Sequence, residues 1–202
     1  MGQETMYHEG MRRLQDERET RQLADRLTQV TSRKAFTDED RAFIESRAMF
    51  FVATADAQGQ PDCSYKGGLP GFVRVLDGQT LAFPDYDGNG MYRSWGNVVV
   101  NPHVGLLFLD FESPKRIRVN GQASIAADDP LLPEFPGAVF IVRVKADLIF
   151  PNCPRYIHKM QLVEYSVYAP QPDYVPPVPA WKNFDVFRDA LPARDRLPEE
   201  KE

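Results

Sequence analysis

Cysteine and histidine are scarce in this chain of 202 residues, with two of the first and three of the second. Cys63 and Cys153 form no CxxC pair, and His8, His103 and His158 stand at no metal-ligand spacing from them or from one another. That excludes a sequence-encoded zinc site and makes a reduced, cytoplasmic compartment the expectation. No basic start followed by an apolar run marks a signal peptide, and nothing approaches the roughly 20 consecutive apolar residues that a bilayer-spanning helix needs. Positive charge is not in excess either. With 24 Lys and Arg against 29 Asp and Glu, the net charge of −5 argues against general attraction to nucleic acid or anionic membrane, although a local basic pocket for a small anion remains allowed. There is no Walker-type loop, no Ser/His/Asp order and no internal repeat.

The length suits one substantial domain with decorated ends. Residues 5–30 carry Met11, Leu14, Leu23, Leu27 and Val30 at near-helical spacing in an otherwise charged segment, which predicts one or two amphipathic helices. Thr37, a hydroxyl cap, precedes the acidic turn Asp38-Glu39-Asp40, and Phe43 and Ile44 supply the apolar face of a helix near 38–46. The pattern then changes. "AMFFVATAD", "GFVRVLD", "TLAFPD", "HVGLLFLDF", "RIRVNGQASI" and "AVFIVRVKADLIF" are β-branched and aromatic runs separated by turn signals. Six such runs predict a mainly β fold with peripheral helices, a compact antiparallel barrel or sandwich. Gly59 and Asp77-Gly78 mark tight turns. "DYDGNGMYRSWGNVVVNP" opens as a turn and continues as a short helix stopped by Asn101-Pro102. "NCPRYIHKMQLVEYSVY" reads as a helix with Pro154 in its first turn, and Pro170, Pro172, Pro176, Pro177 and Pro179 predict an extended arm. The boundaries are an N-terminal helical extension (1–36), a barrel domain (37–168) and a Pro-rich arm (169–202).

Two stretches carry chemistry. In "SYKGGLPGFVRV" (64–75) glycines interrupt a strand-like pattern around Lys66, either as a plain turn or where backbone approaches a ligand. In "DYDGNGMYR" (85–93) Gly88 and Gly90 flank Asn89 ahead of Arg93, so that amides at a helix start and an arginine could receive a phosphate; an ordinary Asn-Gly turn with a solvated arginine fits equally well. Cys153, beside Pro154, is expected to pack as a small apolar residue.

The ordered set "FFVATAD", "GQPDCSYKGGLPGFVRVLD", "TLAFPD", "GNGMYRSWGNVVVNP", "VGLLFLDF" and "RIRVNGQASI" resembles the pyridoxamine 5′-phosphate oxidase-like family of FMN-binding split barrels over residues 40–165. The resemblance implies a six-stranded antiparallel split β-barrel that forms a homodimer with FMN in the groove between subunits. It implies flavin contacts at Ser64, Tyr65, Lys66, Phe72, Val73 and Arg74, phosphate contacts at Asn89, Gly90, Tyr92, Arg93 and Ser94, and a contact from Arg116 across the dimer. No catalytic acid or base is assigned, and the His and Cys spacing gives no metal site. The chain departs from the true oxidases where "GGLPG" interrupts the basic strand motif. It departs again at the C-terminus, where Trp181, Arg196, Leu197 and Pro198 echo the family but the central substrate motif is missing. It therefore resembles the broader branch, in which FMN, and in some relatives a deazaflavin or haem, is bound. The implied function is an FMN-dependent oxidoreductase passing a hydride or electrons from a donor such as NAD(P)H to a small acceptor. A non-catalytic flavin or haem module and a deazaflavin-dependent reductase are the alternatives.

Overall fold

The computed structural model describes residues 6–196. Its strands are β1 (Met49–Ala55), β2 (Pro61–Gly67), β3 (Arg74–Val75), β4 (Thr80–Tyr86), β5 (His103–Asp110), β6 (Lys115–Ala126) and β7 (Ala138–Pro151). They pair antiparallel in one sheet ordered β2-β1-β5-β6-β7-β4-β3. This is a split barrel of seven strands, one more than the sequence runs predict. The apolar sides of the strands meet inside: Phe50 packs edge-on against Phe83 at 4.9 Å and tilted against Phe108 at 5.0 Å, with Leu81, Leu106, Val119, Val142 and Ile149 around them. Burial of such side chains at about 25 cal/mol per Å² supplies most of the folding drive.

Helices α1 (Glu9–Glu17) and α2 (Arg21–Thr31) form where the amphipathic spacing predicts them, though they bury no residue completely. Helix α3 (Asp38–Glu45) starts on the predicted cap: Thr37 Oγ1 accepts from the Asp40 amide, and the Asp40 carboxylate accepts from the Thr37 amide. Asp40, 2% exposed, also receives the Arg33 guanidinium, and although burial pushes its carboxyl upward, that arginine holds it below the ordinary value.

Five expectations are corrected. The added strand β2 lies within the stretch read as a turn between Gly59 and Gly71. It is a polar strand paired with β1 alone, so it carries no apolar run. The predicted strand "GFVRVLD" shrinks to Arg74 and Val75, because Gly71, at φ +90°, turns the chain and sends Phe72 and Val73 into the core. The helix predicted over 152–168 does not form. Pro154 closes a single turn onto the Ile157 amide, after which the Met160 amide donates to the Phe111 carbonyl and the Leu162 amide to the Glu112 carboxylate, so the segment runs extended along the β5–β6 turn. Cys153 is exposed there rather than packed. Beyond the prolines the arm is not extended throughout: Ala180–Asn183, α5 (Asp185–Arg188) and Ala193–Asp195 are short helical turns. Leu197 and Pro198 lie outside the described residues. No helix among the described residues is long and apolar enough to cross a membrane.

Strands β6 and β7 bulge at Gly121, where the pairing slips from Asn120↔Leu148 to Gly121↔Ala146. A methyl group on Gly121 would run into the Lys145 carbonyl, whereas one on Gly105 would meet nothing nearer than 3.9 Å. Gly121→Ala is expected to destabilise the fold by about 3 kcal/mol or more by overpacking, and Gly105→Ala to change it little. Urea unfolding monitored by far-UV circular dichroism checks both.

Candidate functional site

Strand β2 alternates, so Asp62, Ser64 and Lys66 share one face. The pairing Asp62↔Thr54, Ser64↔Val52 and Lys66↔Phe50 fixes that face against β1. Strand β4 delivers Asp85 and Tyr86 beside it, and the chain then crosses a glycine-bearing loop, 87–92, to α4 (Arg93–Val100). Gly90 sits at φ +73°, Asn89 Oδ1 accepts from the Met91 amide at 3.0 Å, and Tyr92 takes the left-handed conformation at the N-cap. Helix α4 is held by its buried face, Ser94, Trp95 and Val98, and by Asn97, which donates to Thr54 Oγ1 at 3.0 Å. It ends at Asn101, ahead of Pro102. Between β2, the end of β4 and the start of α4 lies a cleft of ≈ 280 Å³.

The charges in this cleft come in two pairs. At the mouth, Asp62 accepts from Arg93 Nε at 3.1 Å and from Ser94 Oγ at 3.3 Å. On the floor, Asp85 accepts from Trp95 Nε1 at 2.6 Å and faces Lys66 Nζ at 3.6 Å, while Lys66 also lies 4.5 Å above the Trp95 ring. Burial dominates both floor groups. It pushes the Asp85 carboxyl above its ordinary value against the pull of Trp95 and Lys66, and it pushes the Lys66 ammonium below its ordinary value despite Asp85. Burial likewise drives the Tyr86 hydroxyl up to about 12. Behind the loop, Asp87 receives Lys182 at 2.6 Å and Arg194 at 3.1 Å.

Of the residues expected at a cofactor, Ser64, Lys66, Asn89, Gly90, Tyr92, Arg93 and Ser94 converge on this one cleft. The others do not. Tyr65 is on the opposite face of β2, edge-on to Phe51, and Phe72 and Val73, 5% and 0% exposed, are core residues with no surface to offer a ligand. Arg74 pairs with Glu134 and covers the Phe135 ring. Arg116 donates to the Cys153 carbonyl at 2.8 Å, outside the cleft of its own chain. Asp62, Asp85 and Trp95 are the residues the sequence reading missed. The signal for Asp62 was present in the two-residue step that aligns it with Ser64 and Lys66.

A pyridoxamine 5′-phosphate oxidase family model matches residues 36–167, and the chain belongs to that family. No curated protein matches. Among solved structures, similarity is found to a candidate pyridoxamine 5′-phosphate oxidase from Lactobacillus delbrueckii, at 23% identity over 60% of this chain and 99% of that one, with a TM-score of 0.49. It is also found to the heme storage protein HutZ from Vibrio cholerae (21% identity, 56% of this chain and 92% of that one, TM-score 0.41) and to an FMN-binding protein from Syntrophomonas wolfei (13% identity, 69% and 97%, TM-score 0.42). Family membership rests on the match over 36–167.

The floor pair yields a stability prediction. Lys66→Met strands the Asp85 carboxylate and is expected to cost about 2 kcal/mol, below the usual range for a broken buried pair because the Lys66 side chain keeps 20% of its surface in water. Adding Asp85→Asn, whose amide oxygen still accepts from Trp95, should recover most of that loss. Thermal unfolding of the two single variants and the double variant measures the coupling.

Proposed function

We propose that the chain is a flavin-dependent oxidoreductase that holds FMN in the cleft between β2 and loop 87–92 and passes electrons from a reduced donor such as NAD(P)H to a small acceptor. One observation carries the reading: Arg93 Nε and Ser94 Oγ converge on a single oxyanion, the Asp62 carboxylate, at the mouth of a cleft with an ammonium on its floor. The donors are thus already arranged around an anion, and Asp62 stands where a phosphate oxygen would be received. Asn89 and Lys66 add polar groups to the same wall, and Trp95 and Tyr92 add aromatic surface. The donor set fits a phosphate monoester, on the condition that the ligand displaces Asp62. A dianion with charge-assisted bonds to arginine outcompetes a single carboxylate that sits 17% exposed on an edge strand.

When bound, FMN supplies hydride and electron transfer at its ring, and the protein supplies binding, orientation and electrostatics. Lys66 is the cation fixed in the site: Asp85 and the Trp95 ring hold its side chain in place, and its charge favours a reduced, anionic ring. Trp95, 4% exposed, closes the floor to water. No side chain is assigned as a catalytic acid or base. A second copy completes this reading. The cleft, at ≈ 280 Å³, is at the small end of common ligand pockets, and in this reading the Arg116 contact would come from the partner copy.

Purified protein is expected to be yellow, to bleach on addition of NADPH and to recover in air. Colour without reduction by any nicotinamide donor would leave a passive flavin store, and absence of flavin binding in a titration would overturn the reading. Sedimentation is expected to show a dimer. Arg93→Ala should weaken FMN by about 30-fold, the equivalent of about 2 kcal/mol for a lost charged hydrogen bond. Asp62→Asn, which removes the competitor, should tighten it by about tenfold. Opposite signs for these two neighbours are the expected fluorescence-titration result; effects of the same sign would remove Arg93 and Ser94 from the phosphate site.

A further inference from the structure

The loop that lines the cleft meets the barrel through the Tyr92 ring, 6.4 Å from that of Phe140 in β7. Its hydrogen bonds from Met91 N to Asn89 Oδ1 and from Gly96 N to the Tyr92 carbonyl stay within the loop and α4. Its long-range polar ties run to the C-terminal segment 180–196, from Asp87 and, through Arg194, from Tyr92. Lys182, whose side chain is 7% exposed, donates to Asp87 Oδ2 at 2.6 Å and lies 2.9 Å from Asp195 Oδ1. Arg194 reaches Asp87 Oδ1 at 3.1 Å. The segment in turn closes on itself, since Lys182 and Asp195 join its two ends and Trp181 packs edge-on against Phe187 at 5.8 Å. A buried ammonium between two carboxylates is a demanding arrangement: the cation cannot stay without them, and without it the two carboxylates share Arg194. The pKa directions agree with this geometry. Burial alone would lower Lys182, yet Asp87 and Asp195 hold it above the ordinary lysine value, and Lys182 and Arg194 hold Asp87 below the ordinary carboxylate value against its own burial.

We propose that Lys182 is a positioning residue that fixes loop 87–92 through Asp87, so that the C-terminal segment 180–196 acts as a strap setting the shape of the anion-binding cleft. The proposal rests on the reading of that cleft as the ligand site. In this arrangement Lys182 touches no ligand. It pre-pays the ordering of a loop that carries Gly88 and Gly90, and the binding free energy no longer has to supply it.

The test uses the full-length chain, with FMN as probe and hydrogen exchange of the loop as the second readout. Lys182→Met keeps the aliphatic length and removes the charge. It is expected to weaken FMN by about tenfold by leaving Arg194 as the cation shared by both carboxylates, at 3.1 Å from Asp87 and 3.9 Å from Asp195, and to accelerate exchange in 86–93 while β5 and β6 exchange as before. Lys182→Arg, which restores a cation, should recover most of both effects, a rescue that a purely volumetric role would not give. Arg194→Gln, at a side chain 56% exposed, should shift both readouts in the same direction by a smaller factor. Unchanged loop exchange in Lys182→Met and Arg194→Gln overturns the proposal, as does global acceleration in Lys182→Met with no change in Arg194→Gln. If the unsubstituted protein binds no FMN, the exchange arm still decides: faster exchange confined to 86–93 upholds the strap while the flavin reading falls.

Discussion

A carboxylate buried at the end of a core strand must be compensated, and Asp85 is compensated from two elements at once. Trp95 of α4 donates to it and Lys66 of β2 faces it, so one side chain ties β4, α4 and β2 together. Those are the three elements that wall the cleft. The aromatic core extends to this same point, since Trp95 packs against Phe83 at 5.9 Å on its inner side while its indole N–H points to Asp85. The cleft floor is therefore as rigid as the barrel interior, and its polarity is inseparable from its packing. The cost shows in the displaced proton affinities of both members of the pair, which burial shifts in opposite directions.

An acidic protein that receives an anion has to concentrate cations locally, and here each cation is matched by a carboxylate: Lys66 with Asp85, Arg93 with Asp62. The two pairs differ in exposure. The floor pair is enclosed and can be broken only at the expense of the fold, whereas the Arg93 side chain is 63% exposed and exchanges partners at little cost. In the proposed reading an arriving phosphate monoester would rearrange the outer pair alone, and ligand affinity and fold stability would be set by different ion pairs in the same cleft.

How much of this was legible in the sequence follows from where the information lies. Strands β1, β4, β5, β6 and β7 bury one face or both and announce themselves as apolar runs, and α3 does so through its cap. Strand β2 does not, because an edge strand with neighbours on one side carries polar residues on the other, and only its pairing with β1 reveals it. The segment after Pro154 has the aromatic and β-branched content of a strand and a proline where a helix could begin; its amides are taken by the β5–β6 turn, a contact that spacing along the chain does not encode. In the cleft, the Gly-rich loop and Arg93 were readable from the residues as a possible phosphate receptor, while Lys66 and Ser94 entered only through the family resemblance. Phe72, Val73 and Arg74 were not separable from them without knowing that Gly71 reverses the chain. The carboxylates Asp62 and Asp85 run against the charge expected of a phosphate site, so sequence logic alone passes over the groups that hold its cations in place.

The contact between Asp87 and Lys182 spans 95 positions in the chain and lies beyond any local pattern. Its chemistry nevertheless follows from the architecture. A loop with glycines on either side of Asn89 leaves Met91 largely exposed and packs the Tyr92 ring against Phe140, so hydrophobic burial holds it only in part and polar contacts supply the rest. Charge pairs whose energy depends on partial exclusion of water suit that task, since a strap that covers Lys182 strengthens the bond by the act of covering it. In the proposed arrangement the conformation of the cleft loop would be carried by a separate segment, joined to it through Asp87.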